Sequence, residues 1–241
     1  MKPKPVRTFL SAEWRKLVMI NYEIDPQVLL PYLPAKTELD TYNGKHLVSL
    51  VGFMFLNTKV LKLAIPFHTN FEEFNLRFYV KHLQNGVEKR GVVFINEIVP
   101  GFGIPMVANT LYRENYICRP MKSAVALEDH SLSVSYSFKN KNRWNSVSVS
   151  AEDTSIPIEE NSLEEFITEH YWGYNKWNGV KTLEYEVTHP KWEVYPVKNF
   201  NVDIQFEAIY PKAFSPFLYQ KPHSVLLAEG SEIAVKQGRA I

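Results

Sequence analysis

The sequence predicts a mainly β fold, a β-dominated α+β barrel. Three observations predict it. Apolar and polar residues alternate in run after run, as they do where successive strand side chains face opposite sides. Two Asn-Gly pairs, Asn43-Gly44 and Asn85-Gly86, sit between such runs, and this dipeptide favours the two-residue hairpin turn because both positions need positive φ. Helix signals are confined to two or three short segments, so the many regularly spaced strands set the class.

Asp25-Pro26 starts a helix, with the carboxylate as cap and the proline at the first helical position; Pro31 and Pro34 keep it short. From Glu38 the chain turns β-rich. Asn43-Gly44 separates 38–42 from 45–56 and reads as a hairpin. The longest apolar run, 47–56, is half the roughly 20 residues a membrane helix needs and reads as a buried strand. The strand 71–83 leads through Asn85-Gly86 to the strand 91–99. In the first of these, Phe74, Leu76, Phe78 and Val80 share one face, and Glu73, Asn75, Arg77 and Tyr79 share the other. A strand between core and water shows this alternation, and so does a barrel strand whose second face lines a polar cavity; water is the ordinary choice.

Pro105 opens a short helix within 103–108. Strands at 131–138 and 143–151 are joined by Lys139-Asn140-Lys141-Asn142. Ser162 and Glu165 form a capping box for a helix running to about Trp172, ended by Gly173 and Asn175. The segments 183–187, 192–197, 202–210 and 224–235 again read as strands. No repeat, low-complexity tract or linker divides residues 1–241, which read as one domain.

Formal net charge is +1, from 27 basic and 26 acidic residues, so the electrostatic footprint of a nucleic-acid binder is missing. A single cysteine, Cys118, excludes an intrachain disulfide framework and fits a reducing compartment. Its ordinary role is that of a small buried hydrophobe, although Arg113, Arg119 and Lys122 nearby would favour a thiolate. The basic N-terminus is followed by no apolar stretch, so no signal peptide is read. The expectation is a cytoplasmic protein without membrane or nucleic-acid partners. The seven histidines show no close ligand spacing, and Gly-rich phosphate loops, Gly-x-Ser-x-Gly elbows and Cys-x-x-Cys pairs are missing. No metal and no cofactor are expected.

Three polar clusters remain. Glu73, Asn75 and Arg77 share a strand face, and inside a closed barrel the guanidinium would become a bidentate carboxylate receptor. Glu97, in the partner strand, is the second. The third is Tyr112, Glu114 and Tyr116, which an extended backbone puts on one face, with Lys122 following Pro120-Met121. A lysine held near a carboxylate and apolar walls can become a Schiff-base amine, because desolvation disfavours its ammonium form. Each of these residues is also an ordinary strand residue, and convergence is what would distinguish a site. His189-Pro190-Lys191-Trp192 reads as extended packing structure.

Tyr112-Arg-Glu-x-Tyr-x-x-x-Pro-Met-Lys122 resembles the YqjF-like domain-of-unknown-function family, within the acetoacetate decarboxylase-like superfamily. So do 14–22 with Asp25-Pro26, Leu30-Pro31-Tyr32-Leu33-Pro34, Glu38-Leu39-Asp40, 49–53, 71–77, 90–94 and 189–192. The resemblance implies an acetoacetate decarboxylase-like closed, cone-like β-barrel with extra strands and two or three short helices, and a pocket within it. Decarboxylases of that superfamily carry two adjacent lysines after Phe-Pro; the first forms the Schiff base and the second lowers its pKa. Here Arg119-Pro120 stands for Phe-Pro, Met121 for the Schiff-base lysine and Lys122 for its neighbour, and a thioether cannot form an imine.

The catalytic candidates are therefore Lys122, Glu114 and Glu73. The ligand-binding candidates are Asn75, Arg77, Glu97, Tyr112, Arg113, Tyr116 and Met121. The expected partner is a small anionic or carbonyl ligand that the protein binds or transforms, by lyase-type chemistry on a keto acid if it is an enzyme. The alternatives are a non-catalytic ligand-binding or sensing module and a structural barrel filled by side chains. Surplus edge strands would suit a homodimer. The direction in which Lys122 points separates these readings.

Overall fold

The computed structural model of the chain describes residues 7–65, 69–101 and 115–241. Its strands begin with β1 (Thr8–Glu23), β2 (Glu38–Leu39), β3 (Leu47–Val60), β4 (Leu63–Ala64), β5 (Phe71–Gln84) and β6 (Val87–Val99). There follow β7 (Tyr116–Cys118), β8 (Met121–Glu128), β9 (Ser131–Asn140), β10 (Arg143–Glu152), β11 (Ile156–Pro157) and β12 (Trp172–Lys176). The last are β13 (Thr182–Thr188), β14 (Glu193–Tyr195), β15 (Val197–Asp203), β16 (Ser224–Lys236) and β17 (Arg239–Ala240). The α-helices among the described residues are short: α1 (Pro26–Leu29), α2 (Leu163–Thr168) and α3 (Ser215–Leu218).

Thirteen strands make one sheet, and β15, β10, β9 and β8 make a second of four. In the larger sheet β16, β1, β3, β5, β6, β12 and β13 pair in succession. β13 then pairs back onto β16 through Val187↔Val235 and Thr188↔Ala234. The path returns to its start, so the expected barrel closes and these strands present no free edge to each other. The β6–β12 join is parallel and short, Trp172↔Gly91 and Gly173↔Val92. It depends on Gly91, where a Cβ would lie 2.5 Å from the Trp172 carbonyl oxygen.

Alternation along the ring strands produces two apolar cores. Leu17, Met19, Val51, Phe53, Phe55, Val92, Tyr185 and Trp192 face one another inside the ring. Their neighbours Val18, Ile20, Leu50, Phe74, Leu76 and Phe78 face outward, where Val134, Tyr136, Phe138, Val147 and Val149 of the second sheet cover them. Phe74 and Phe138 meet with ring centroids 5.0 Å apart. Each such buried side chain contributes about 1.5–3 kcal/mol relative to exposure.

Several sequence expectations hold at the level of atoms. Asp25 accepts from the Gln27 amide at 2.9 Å to cap α1, and Ser162 accepts from the Glu165 amide at 3.1 Å to cap α2. Asn85 and Gly86, both at positive φ, turn β5 into β6 with Gln84 opposite Val87. Others are corrected. Asn43-Gly44 closes only a Tyr42–Lys45 bridge, because Glu38 and Leu39 pair with Lys81 and Val80 of β5 instead of with β3. α2 stops at Thr168, and Trp172 begins a strand, since pairing with Gly91 and Val92 outweighs helical continuation. The strand expected over 202–210 ends at Asp203 and gives way to a 3-10 turn, Phe206–Ala208. The helix expected at Pro105 lies outside the described residues.

Candidate functional site

The outward packing of Phe74, Leu76 and Phe78 leaves the alternate residues of β5 no direction but inward. Glu73, Asn75 and Arg77 accordingly line a cavity of about 90 Å³ inside the ring. The face left open between water and a cavity is the cavity face. β6 sets Glu97 opposite Asn75, and β7 sets Tyr116 beside Glu97. Asn75 Nδ2 donates to Glu73 Oε1 at 2.9 Å, and the Tyr116 hydroxyl donates to Glu73 Oε2 at 3.3 Å. Glu73 and Glu97 are 3% and 2% exposed. Carboxylates this far from water carry a large desolvation cost unless donors surround them or they hold a proton. The remaining wall is aromatic, with Trp14, Phe53, Phe55, Phe94, Trp172 and Trp192.

Arg77 lies two residues along from Asn75. Its Nη2 donates to the Ile167 carbonyl at 3.2 Å, beside the end of α2. Its Nε is buried without a hydrogen-bond partner among the described residues.

Two histidines that the sequence did not single out as site residues also line the cavity. His170, 7% exposed, has Nε2 at 3.1 Å from Asp40 Oδ2, and the same oxygen accepts from Arg90 Nε at 2.7 Å. Burial disfavours the Asp40 carboxylate, but the hydrogen bonds from His170 and Arg90 outweigh it and hold its pKa at about 2. Burial pushes His170 down to about 4, only partly offset by Asp40. His170 is therefore neutral near pH 7. Since a carboxylate can only accept, its proton sits on Nε2 and Nδ1 is a bare acceptor. His189 stacks on Trp192, with ring centroids 4.3 Å apart and an interplanar angle of 22°. This is the packing role expected of the His-Pro-Lys-Trp segment, performed on the cavity wall. Its Nδ1 meets the Pro190 carbonyl at 2.9 Å, which leaves Nε2 as its acceptor, and burial lowers its pKa too.

Of the sequence-derived candidates, Glu73, Asn75, Arg77, Glu97 and Tyr116 come together here. Lys122 and Met121 do not. β8 pairs with β9 through Met121↔Phe138 and Lys122↔Ser137, which carries both residues onto the second sheet. Lys122 is exposed, its ammonium 4.4 Å from the Trp144 ring centroid, and Met121 packs against the outer core. Tyr112, Arg113 and Glu114 lie outside the described residues. Cys118 donates to the Gly101 carbonyl at 3.2 Å; burial pushes its thiol up against the opposing effect of Arg119, so it is no activated thiolate. Among the described residues, no group of three or more His, Cys, Asp or Glu could hold a metal ion, and no helix is long and apolar enough to cross a membrane.

Asp40, Arg90 and the His189–Trp192 segment lie in stretches that carry the family resemblance. His170 had no signal of its own, because the expected helix ran through it.

Comparison with known proteins places this geometry among relatives. The profile of DUF2071, described as an uncharacterized conserved protein, matches residues 11–232. The uncharacterized protein YqjF of Bacillus subtilis (strain 168) is 28% identical over 187 residues, covering 76% of this chain and 74% of that protein. Among solved structures, acetoacetate decarboxylase from Legionella pneumophila superposes with a TM-score of 0.65 at 14% identity, covering 100% of this chain and 92% of that one. The enduracididine biosynthesis enzyme MppR complexed with pyruvate superposes with a TM-score of 0.67 at 12% identity, covering 99% and 93%. At these identities the likeness establishes a shared fold.

Proposed function

The chain belongs to the DUF2071 family, and from that premise we propose that it binds a small carboxylate or keto compound inside the barrel, in the cytoplasm. One observation carries the reading. Glu73, Asn75, Arg77, Glu97 and Tyr116, drawn from three strands, converge on a small cavity with aromatic walls. That is the composition of a small-molecule site, an apolar enclosure with a few convergent polar groups. Arg77 supplies a cation for the ligand's carboxylate. The Glu73–Tyr116 pair supplies a hydrogen-bonding or proton-transferring group for its carbonyl. MppR, which shares the fold, is solved with pyruvate, a compound of this class and size.

Among the described residues, imine chemistry has no amine to work with at this cavity. Its described lining contains no lysine. Lys122, the remaining candidate, is exposed on the other sheet. A polar pocket without a lysine favours binding, or acid–base chemistry through Glu73, over Schiff-base decarboxylation.

Titration calorimetry with pyruvate and acetoacetate tests the reading, beside borohydride treatment and intact mass. Binding is expected, without a covalent adduct. Arg77→Ala is expected to weaken binding about tenfold to a hundredfold, the range for a hydrogen bond to a charged group. A borohydride-trapped adduct would overturn the lysine-free reading, and unchanged affinity in Arg77→Ala would remove the anchor.

A further inference from the structure

Arg77 and His170 both line the cavity, and both lie against the Tyr79 ring. Arg77 is tied to the Ile167 carbonyl, three residues before His170 in the chain. Tyr79, the next inward residue of β5, lies with its ring centroid 4.7 Å from that of His170. Arg77 Nε, a donor, and His170 Nδ1, an acceptor, are both buried without hydrogen-bond partners among the described residues. Native proteins rarely leave such groups unsatisfied, and a donor and an acceptor on two residues of one small cavity suit a ligand that offers the converse pair. Asp40 and Arg90 hold the imidazole from the opposite side, which fixes the tautomer.

A simple 2-keto acid presents only acceptors, its carboxylate and its ketone oxygen, and the ketone would face the bare nitrogen acceptor to acceptor. A 2-hydroxy acid presents a carboxylate and, one carbon away, an O–H. We propose that His170 Nδ1 is a ligand-contacting acceptor that selects a carboxylate bearing an adjacent hydroxyl, a 2-hydroxy acid or the enol of a 2-keto acid. This rests on the carboxylate reading given above and narrows it. Arg77 takes the carboxylate, and the hydroxyl donates to His170.

The test is calorimetry of the full chain with matched pairs, lactate against pyruvate and 2-hydroxybutyrate against 2-oxobutyrate. The hydroxy acid is expected to bind about threefold to tenfold more tightly, the worth of one neutral hydrogen bond. His170→Phe should abolish that preference, bringing the hydroxy-acid to keto-acid affinity ratio to about one. Because that variant removes a buried contact to Asp40, imidazole nitrogen NMR of the unmutated protein is a second arm. It should report a protonated Nε2 and a bare Nδ1 in the free protein, with the Nδ1 signal moving on addition of lactate and not of pyruvate.

Equal binding within each pair would overturn the inference and leave the carboxylate reading standing. A free-state proton on Nδ1 would do the same. Binding by no member of the panel would retire the carboxylate reading, and this inference with it.

Discussion

At the residue scale, the Asp40–His170–Arg90 group ties stability to pH. His170 has a folded pKa of about 4 against an ordinary value of about 6.5, so between these values the unfolded chain binds the proton that the folded chain refuses. Stability is then complete above pH 6.5 and falls as pH drops toward 4. Asp40, held at about 2, adds a further loss of the same sign from about pH 4 downward. Urea midpoints should show a loss on the order of 2 kcal/mol between pH 7 and pH 5, and His170→Phe should flatten most of it. A midpoint independent of pH over that span would mean that the imidazole titrates in the fold as it does in the unfolded chain. Residues at this scale were unevenly legible. Glu73, Asn75 and Arg77 announce themselves by alternation on a single strand, whereas His170 is made a site residue by Asp40 and by Tyr79 of β5, which approach it from distant parts of the sequence.

At the element scale, local chemistry predicted where elements start better than where they stop. The Asp25 and Ser162 caps and the Asn85-Gly86 turn depend on a few adjacent residues, and these are present in the sequence. The end of α2 depends on β6, far away in the chain, and Gly173 was read as a helix terminator although it belongs to a strand. Gly91 is the other half of that join, with backbone of β12 where its side chain would be. Gly91→Ala is expected to cost about 1–3 kcal/mol, as overpacking does, and to weaken ligand binding by displacing Trp172 from the cavity wall. Chemical denaturation and calorimetry on the variant check both. An unaltered denaturation midpoint would show that the join tolerates a methyl group.

At the scale of the whole molecule, strand count and helix scarcity were enough to indicate a barrel, because they follow from composition and turn chemistry. Which face of β5 meets water was not indicated, because alternation within one strand says nothing of what lies across from it; the second sheet, covering the outer face, decides. The same limit applied to Lys122. Its neighbourhood in sequence suggested the pocket, but the pairing of β8 with β9 takes it away.

The ring has one more property, set by how unevenly it is stitched. β12 and β13 pair with each other over five residue pairs, and β13 is held on its other side by two pairs to β16 and two to β17, but β12 holds β6 through only two. This hairpin carries Trp172, Gly173, Tyr185 and Val187 of the cavity wall. A panel fastened so lightly at its β6 margin opens there at lower free energy than the long β1, β3 and β5 ladders. Its amides should exchange with deuterated solvent before theirs do, and a bound ligand should slow that exchange. For the ligand proposed above, traffic into and out of the barrel would then be timed by a hinge, and the residence of a guest would be governed by how often the door swings as well as by how firmly the guest is held.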